Sequence, residues 1–228
     1  MKIEEVQESK DVDATTRVSL NVGCGRRILP KAEGWINIDS QNLDGVDIVF
    51  DLETCDTNKL PLEDNSVDLI FLSHVLEHIR NVLPLAQELH RVAKPGAEMI
   101  VKCPHGGSDD AWGDPTHVRA YFADSFMYFS QHAYHRADYG YRGDWEPEVV
   151  HYLTFPTAPS DNEELLRAIQ HDRNSVREID ARLRCVKPIR KPDATLLKAV
   201  PLRILRPSDL EKLRETTKND DGETKNDD

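Results

Sequence analysis

Residues 18–25 read Val-Ser-Leu-Asn-Val-Gly-Cys-Gly and residues 34–39 read Gly-Trp-Ile-Asn-Ile-Asp. Val18, Leu20 and Val22 alternate with smaller or polar residues, the period of two that marks a strand. Gly23 and Gly25 close that strand with a turn that tolerates unusual φ and places no Cβ between the backbone and a bound molecule. A second strand, Trp35 to Ile38, ends on the carboxylate of Asp39. In an open parallel sheet, ligands sit in the crevice beyond the carboxyl ends of the strands. Asp39 is placed there to accept hydrogen bonds from the hydroxyls of a ribose.

The connection between these strands narrows the ligand. A dinucleotide fingerprint has a third glycine, a long helix, and an acid about twenty positions on. Here the third glycine is absent, and Gly25 and Asp39 are fourteen positions apart with Pro30 between them. Little room is left for a helix whose positive end would hold a pyrophosphate. S-adenosylmethionine (SAM) has no phosphate and carries a sulfonium cation, so the pattern favours SAM over NAD.

Further strands follow in order. Asp47 to Leu52 is a short apolar run ending in an acid. Asp51 is placed to accept from an adenine amino group with Leu52 against the ring; equally, Asp51 caps a turn. Val67–Ser73 has the continuous apolarity of a strand buried on both faces. A helix is predicted from about Pro84, with Leu85, Leu89 and Val92 on one face, ended by Lys94-Pro95-Gly96. Glu98–Cys103 is a fifth strand, and strand, helix and strand make a right-handed crossover.

The ordered set Leu20-Asn21-Val22-Gly23-Cys24-Gly25, Gly34–Asp39, Asp51-Leu52, Leu60-Pro61, Ser66–Ile70, His74-Val75-Leu76-Glu77-His78 and Arg91–Gly96 resembles a class I SAM-dependent methyltransferase, type 11-like, across about residues 18–104. The resemblance implies an α/β, Rossmann-like sheet, mostly parallel with an antiparallel last strand and helices on both faces. It also implies a cofactor set of Asn21, Gly23, Cys24, Gly25, Asp39, Asp51, Leu52, Ser73 and His74. Gly23 and Gly25 would flank the methionine part, Asp39 the ribose, Asp51 and Leu52 the adenine, and Ser73 and His74 the sulfonium end. Two departures stand out: many such enzymes have Asp at the Asn21 position and a complete first helix. DNA base methylation is disfavoured, because Leu72–Leu76 lacks the Asp/Asn-Pro-Pro-aromatic motif and Cys103-Pro104 is reversed and one strand too late.

Beyond the fifth strand, residues 104–145 are dense in groups that bind or move protons, as an acceptor-side loop would be. His105, Asp114 and His117 are the candidate catalytic residues. They could include a general base, hold a metal, or tie the loop to its own backbone. No close His-x-x-x-His spacing supports a metal, so none is assigned. Methyl transfer depends largely on placing the nucleophile, and a dedicated base is not required. Asp124–Phe129 reads as a capped helix whose aromatics belong to the core or a lid, and residues 134–145 as an outer wall. Val149–Phe155 reads as a sixth strand, Ser160–Glu163 as a capping box opening a helix to about His171, and Arg177–Cys185 as a seventh strand.

The 228 residues suit one domain at 17–207, with an acidic arm at 1–16 and a short helix and acidic tail at 208–228. No run of eighteen apolar residues exists, and the N-terminus lacks a secretory apolar region, so a soluble cytoplasmic protein is expected. A net charge of −12 argues against nonspecific nucleic-acid binding. The basic run Arg184, Lys187, Arg190, Lys191, Lys198, Arg203 and Arg206 is either solvated surface or a docking patch, the latter belonging to a rival reading as a non-catalytic binding module. The first reading is transfer of a methyl group from SAM to oxygen or nitrogen of an unidentified, small-molecule or saccharide-like acceptor.

Overall fold

The computed structural model describes residues 17–209, so the predicted acidic arm and the tail from residue 210 lie outside the described residues. One eight-stranded sheet organises the chain. Its strands are β1 (Ser19–Val22), β2 (Trp35–Asp39), β3 (Ile48–Val49), β4 (Val67–Ser73), β5 (Ala93–Pro104), β6 (Trp145–Thr154), β7 (Val176–Cys185) and β8 (Leu202–Leu205). Their order across the sheet is β3-β2-β1-β4-β5-β7-β6-β8. β1 pairs in parallel with both β2 and β4, and β7 runs antiparallel between β5 and β6. The strand order therefore reverses at β1, which puts the open crevice of the sheet beyond Val22 and Ser73.

Burial explains why these residues form these strands. All four residues of β1 are buried, as a central strand covered on both faces requires. β7 is covered on one side, and Ile179, Ala181, Leu183 and Cys185 are the buried alternates. α1 (Val82–Val92) buries Leu85, Leu89 and Val92, starting two residues before Pro84 because proline fits the first helical turn. α2 (Asp110–Gly113) is a single turn. α3 (Asn162–His171) is capped by Asp161, which accepts from the Glu163 and Glu164 amides; the cap is one residue later than the capping box predicted.

Other boundaries differ for identifiable reasons. The helix ends at Val92 as expected, but Lys94-Pro95-Gly96 after it is a bulge inside β5: pairing jumps from Val67–Ala93 to Leu69–Glu98, and Gly96 takes φ +80°. β6 begins at Trp145, not Val149, with a register shift at Pro147 that hid the first half from the sequence pattern. Trp145 is fully buried and its indole N–H donates to Ala86 O, so it is core rather than an outer wall. Residues 123–129 form a 3-10 rather than an α-helix, with Phe126 and Phe129 in the core. β8, an unpredicted edge strand, pairs in parallel with β6. No helix among the described residues is long and apolar enough to cross a membrane.

Candidate active site

The crevice is built first from backbone. Gly23 and Gly25 hold φ of +64° and +51°. The Gly25 N–H donates to Asp39 Oδ2 at 2.8 Å, and the Gln41 N–H donates to Oδ1 at 2.9 Å. Each carboxylate oxygen keeps a lone pair for further donors. A Cβ at Gly25 would meet nothing within 4 Å, whereas one at Gly23 would lie 2.6 Å from Val75 Cγ2. Gly23 thus lets the β1 turn close on the residue after His74, and Gly25 leaves open space beside Asp39. Asp51, two residues beyond the Val49 that pairs with Asp39, accepts from the Glu53 N–H and caps a 3-10 turn.

The connection from Gly25 to Trp35 holds only a three-residue 3-10 turn, Lys31–Glu33. Two buried asparagines supply what a helix would. Asn21 Nδ2 donates to Arg27 O and to Asn37 Oδ1 at 2.7 and 2.9 Å. Asn37 in turn accepts the Leu29 N–H and donates to Leu29 O, both at 2.9 Å.

On the other side of the crevice His74, at φ +57°, sits between two carboxylates. Its Nε2 is 3.1 Å from Glu178 Oε2 and its Nδ1 is 3.3 Å from Glu77 Oε1. The hydrogen bond to Glu178, followed by the Glu77 carboxylate 3.3 Å away, raises its pKa to about 9, so it is an imidazolium at neutral pH. The chain after β5 returns across this turn: Val118 N–H donates to Glu77 O at 2.8 Å and Tyr121 Oη to Leu76 O at 3.2 Å. An open cleft of about 600 Å³ results, lined by His74, Pro104, Asp110, Asp114, His117 and Arg177 among others.

In sequence, a malonyl-[acyl-carrier protein] O-methyltransferase from Marinomonas sp. (strain MWYL1) is 34% identical over 79 residues, covering 32% of this chain and 29% of that protein. The match thus spans under a third of the relative's length. A SAM-dependent methyltransferase from Archaeoglobus fulgidus shares the fold with a TM-score of 0.51 at 20% identity, over 75% of this chain and 86% of that one. One from Aquifex aeolicus gives 0.47 at 20%, over 75% and 83%. Residues 20–101 match the family described as methyltransferase domain. Over this segment the chain is similar to methyltransferase domains.

Within the matched segment the predicted residues fall into distinct environments. Gly23, Gly25, Asp39, Asp51, Ser73 and His74 stand at the carboxyl ends of β1–β4 or just beyond them. Asn21 is buried and spent on the loop. Cys24 is buried and serves through its backbone, its N–H donating to Ile38 O at 2.9 Å; burial, followed by Asp39, pushes its thiol up. Leu52 is buried in the core, which leaves it little surface to offer a ring.

His105 is a core residue. It is 5% exposed, accepts the Gly107 N–H at Nδ1, and packs edge-on against Phe122 and Tyr152. Burial drops its pKa to about 4, which makes it a weak base, and it does not line the cleft. Asp114 and His117 do line it. Sequence reading passed over His78, whose ring lies 4.7 Å from that of His117. Its proximity to a residue 39 positions away depends on the loop's return. The basic run is largely engaged internally: Arg184 pairs with Glu148, Arg190 with Asp144 and Glu146, Lys187 caps Arg91 O and Ala93 O, and Arg206 holds Ser160 O. That removes the main support for a docking patch.

Proposed function

We propose that the chain is a SAM-dependent methyltransferase that methylates an oxygen or nitrogen of a small, polar, hydroxyl-bearing acceptor held in the cleft over His74. The observation that carries this reading is the open space above Gly25 beside a carboxylate already fixed by the Gly25 and Gln41 amides. Asp39 suits the two hydroxyls of a ribose, and the glycine turn suits the amino-acid end. SAM supplies a methyl on a positively charged sulfur: the acceptor's lone pair bonds to that carbon as the carbon–sulfur bond breaks, a neutral thioether leaves, and the acceptor's proton passes to water.

The chain's own part is placement and charge. Glu77, Glu178 and the His74 imidazolium together leave one net negative charge beside the place proposed for the cation. Holding the acceptor in line is worth most of the rate. Asp109, Asp110, Asp114 and Glu178 outnumber the cations in the cleft, so an anionic group such as the malonyl of the Marinomonas protein's name fits poorly. A neutral or cationic acceptor with several hydroxyls fits better. Calorimetry tests the cofactor part: wild type binds SAM and its demethylated product saturably, and Asp39→Ala, which loses charge-assisted hydrogen bonds of about 1.5–3 kcal/mol each, weakens both by at least about tenfold. Absence of heat with wild type would overturn it.

A further inference from the structure

The turn after β4 and the loop after β5 bring together three groups with metal-binding chemistry. One donor atom from each of Glu77, His78 and His117 lies within 4.8 Å of the others. Glu77 is 2% exposed, yet neither carboxylate oxygen has a hydrogen-bond partner among the described residues. Its nearest charge is His74 Nδ1, 3.3 Å from Oε1. A buried carboxylate without hydrogen bonds is costly unless something else compensates it.

The two imidazoles are oriented as ligands are. His117 Nδ1 is 3.1 Å from Ala111 O, a pure acceptor, so Nδ1 carries the proton and the lone pair is at Nε2. Thr116 Oγ1 donates to Asp114 Oδ1 at 2.7 Å and lies 3.0 Å from His78 Nδ1, which therefore donates to it. His78 too is left with its lone pair at Nε2. Metal-bound histidines typically have the other ring N–H committed to an acceptor in this way. His78 and His117 are both partly accessible, which leaves positions open on the cleft side. Asp114 Oδ2, 3.9 Å from His117 Nε2, is at hand as a further ligand.

We propose that Glu77, His78 and His117 bind one divalent first-row transition metal ion at the wall of the acceptor cleft. Two imidazoles and one carboxylate suit zinc, cobalt, iron or manganese better than magnesium, which prefers oxygen alone. Metal–ligand bonds of about 2.1 Å draw such atoms to roughly 3.4 Å apart, so the side chains close inward by about an ångström. Resting on the methyltransferase reading, the open positions would take two neighbouring hydroxyls of the acceptor, fixing which oxygen is presented and lowering its pKa. That would supply what His105 cannot.

Cobalt(II) titration of untagged, chelator-treated full-length protein, without SAM, tests the site. The expected result is visible d–d absorption that saturates at one equivalent, is displaced by zinc, and persists in a large excess of magnesium. Glu77→Gln and His117→Ala should weaken binding by at least about tenfold, and Thr116→Val, which removes the hydroxyl that orients His78 and bonds Asp114, by roughly 10- to 100-fold. Thermal melts confirm folding; should the ligand variants misfold, the exposed Thr116→Val carries the test. No cobalt spectrum, displacement by magnesium, or unchanged binding in the folded variants would overturn the proposal and leave Glu77 as the structural partner of His74. SAM calorimetry on the metal-free protein reports separately on the cofactor reading.

Discussion

Replacing each of the two crevice glycines by alanine should separate folding from binding. Both take positive φ, where an alanine costs about 1–2 kcal/mol. At Gly25 nothing else is added, since the new methyl meets no atom within 4 Å. For a chain of this size 1 kcal/mol moves Tm by about 2–4 °C, so Gly25→Ala should melt roughly 2–8 °C below wild type. At Gly23 the methyl would stand 2.6 Å from Val75 Cγ2. Valine is stiff at χ1 and buried here, so overpacking adds about 1–3 kcal/mol. Gly23→Ala should therefore lose about 2–5 kcal/mol, and combining it with Val75→Ala should return the overpacking share but not the backbone share. Binding should rank the other way. The Gly25→Ala methyl projects into the space beside Asp39, and SAM affinity should fall at least tenfold, about 1.4 kcal/mol, in a protein that remains folded. Scanning calorimetry and SAM titration on the four proteins give all the quantities. A folded Gly25→Ala variant with wild-type affinity would refute the cradle, and a Gly23→Ala variant as stable as Gly25→Ala would refute the close approach to Val75.

Arg190→Ala should cost about 3–5 kcal/mol in urea unfolding, because it strands Asp144, a fully buried carboxylate held by the Arg190 guanidinium at 2.7 Å. His105 has a folded pKa of about 4 against an ordinary 6.5. The unfolded chain binds the extra proton between those values, so stability is full above pH 6.5 and falls by about 3 kcal/mol as pH drops to 4. Comparing wild type with His105→Gln over that range should show this share of the slope vanish; parallel curves would contradict it. Asn21→Asp should destabilise by about 2–4 kcal/mol, since it replaces both Nδ2 donors with an acceptor facing Arg27 O and Asn37 Oδ1. A neutral result in urea unfolding would show that the loop has another anchor.

The sheet was legible because its signals are local. Alternation in 18–22 and 177–185, the apolar run 67–73 and the single face of residues 85–92 each report on burial within a few residues. What was not legible depended on partners remote in the chain. His105 looked like a catalytic candidate because a polar residue after a strand points to function, and only Phe122 and Tyr152 packed around it make it core. Asn21 looked like a ligand contact, and only the course of residues 25–30 shows where its amide is spent. His78 gained a role solely from His117, brought over by the Val118–Glu77 hydrogen bond. Arg184 and Arg190 read as a free basic run until β6 supplied Glu148, Asp144 and Glu146 nearby.

The asparagine pair also bears on which ligand the crevice can take. A loop at a strand end must satisfy its backbone groups, and the usual solution is a helix, whose N-terminus then carries a partial positive charge. Here Asn21 and Asn37 satisfy Arg27 and Leu29 directly, and the only helical element between β1 and β2 is one 3-10 turn at Lys31–Glu33. The crevice consequently has no helix dipole at the place where a dinucleotide fold would hold its pyrophosphate. Asp39 stands on one side and the Glu77–His74–Glu178 cluster, negative in sum, on the other, while Arg26 and Arg27 follow the glycine turn directly. A sulfonium would meet a favourable charge beside those carboxylates. The same local economy that shortens the β1–β2 connection thus bears on the proposed cofactor, and it does so through the asparagines that hold the loop.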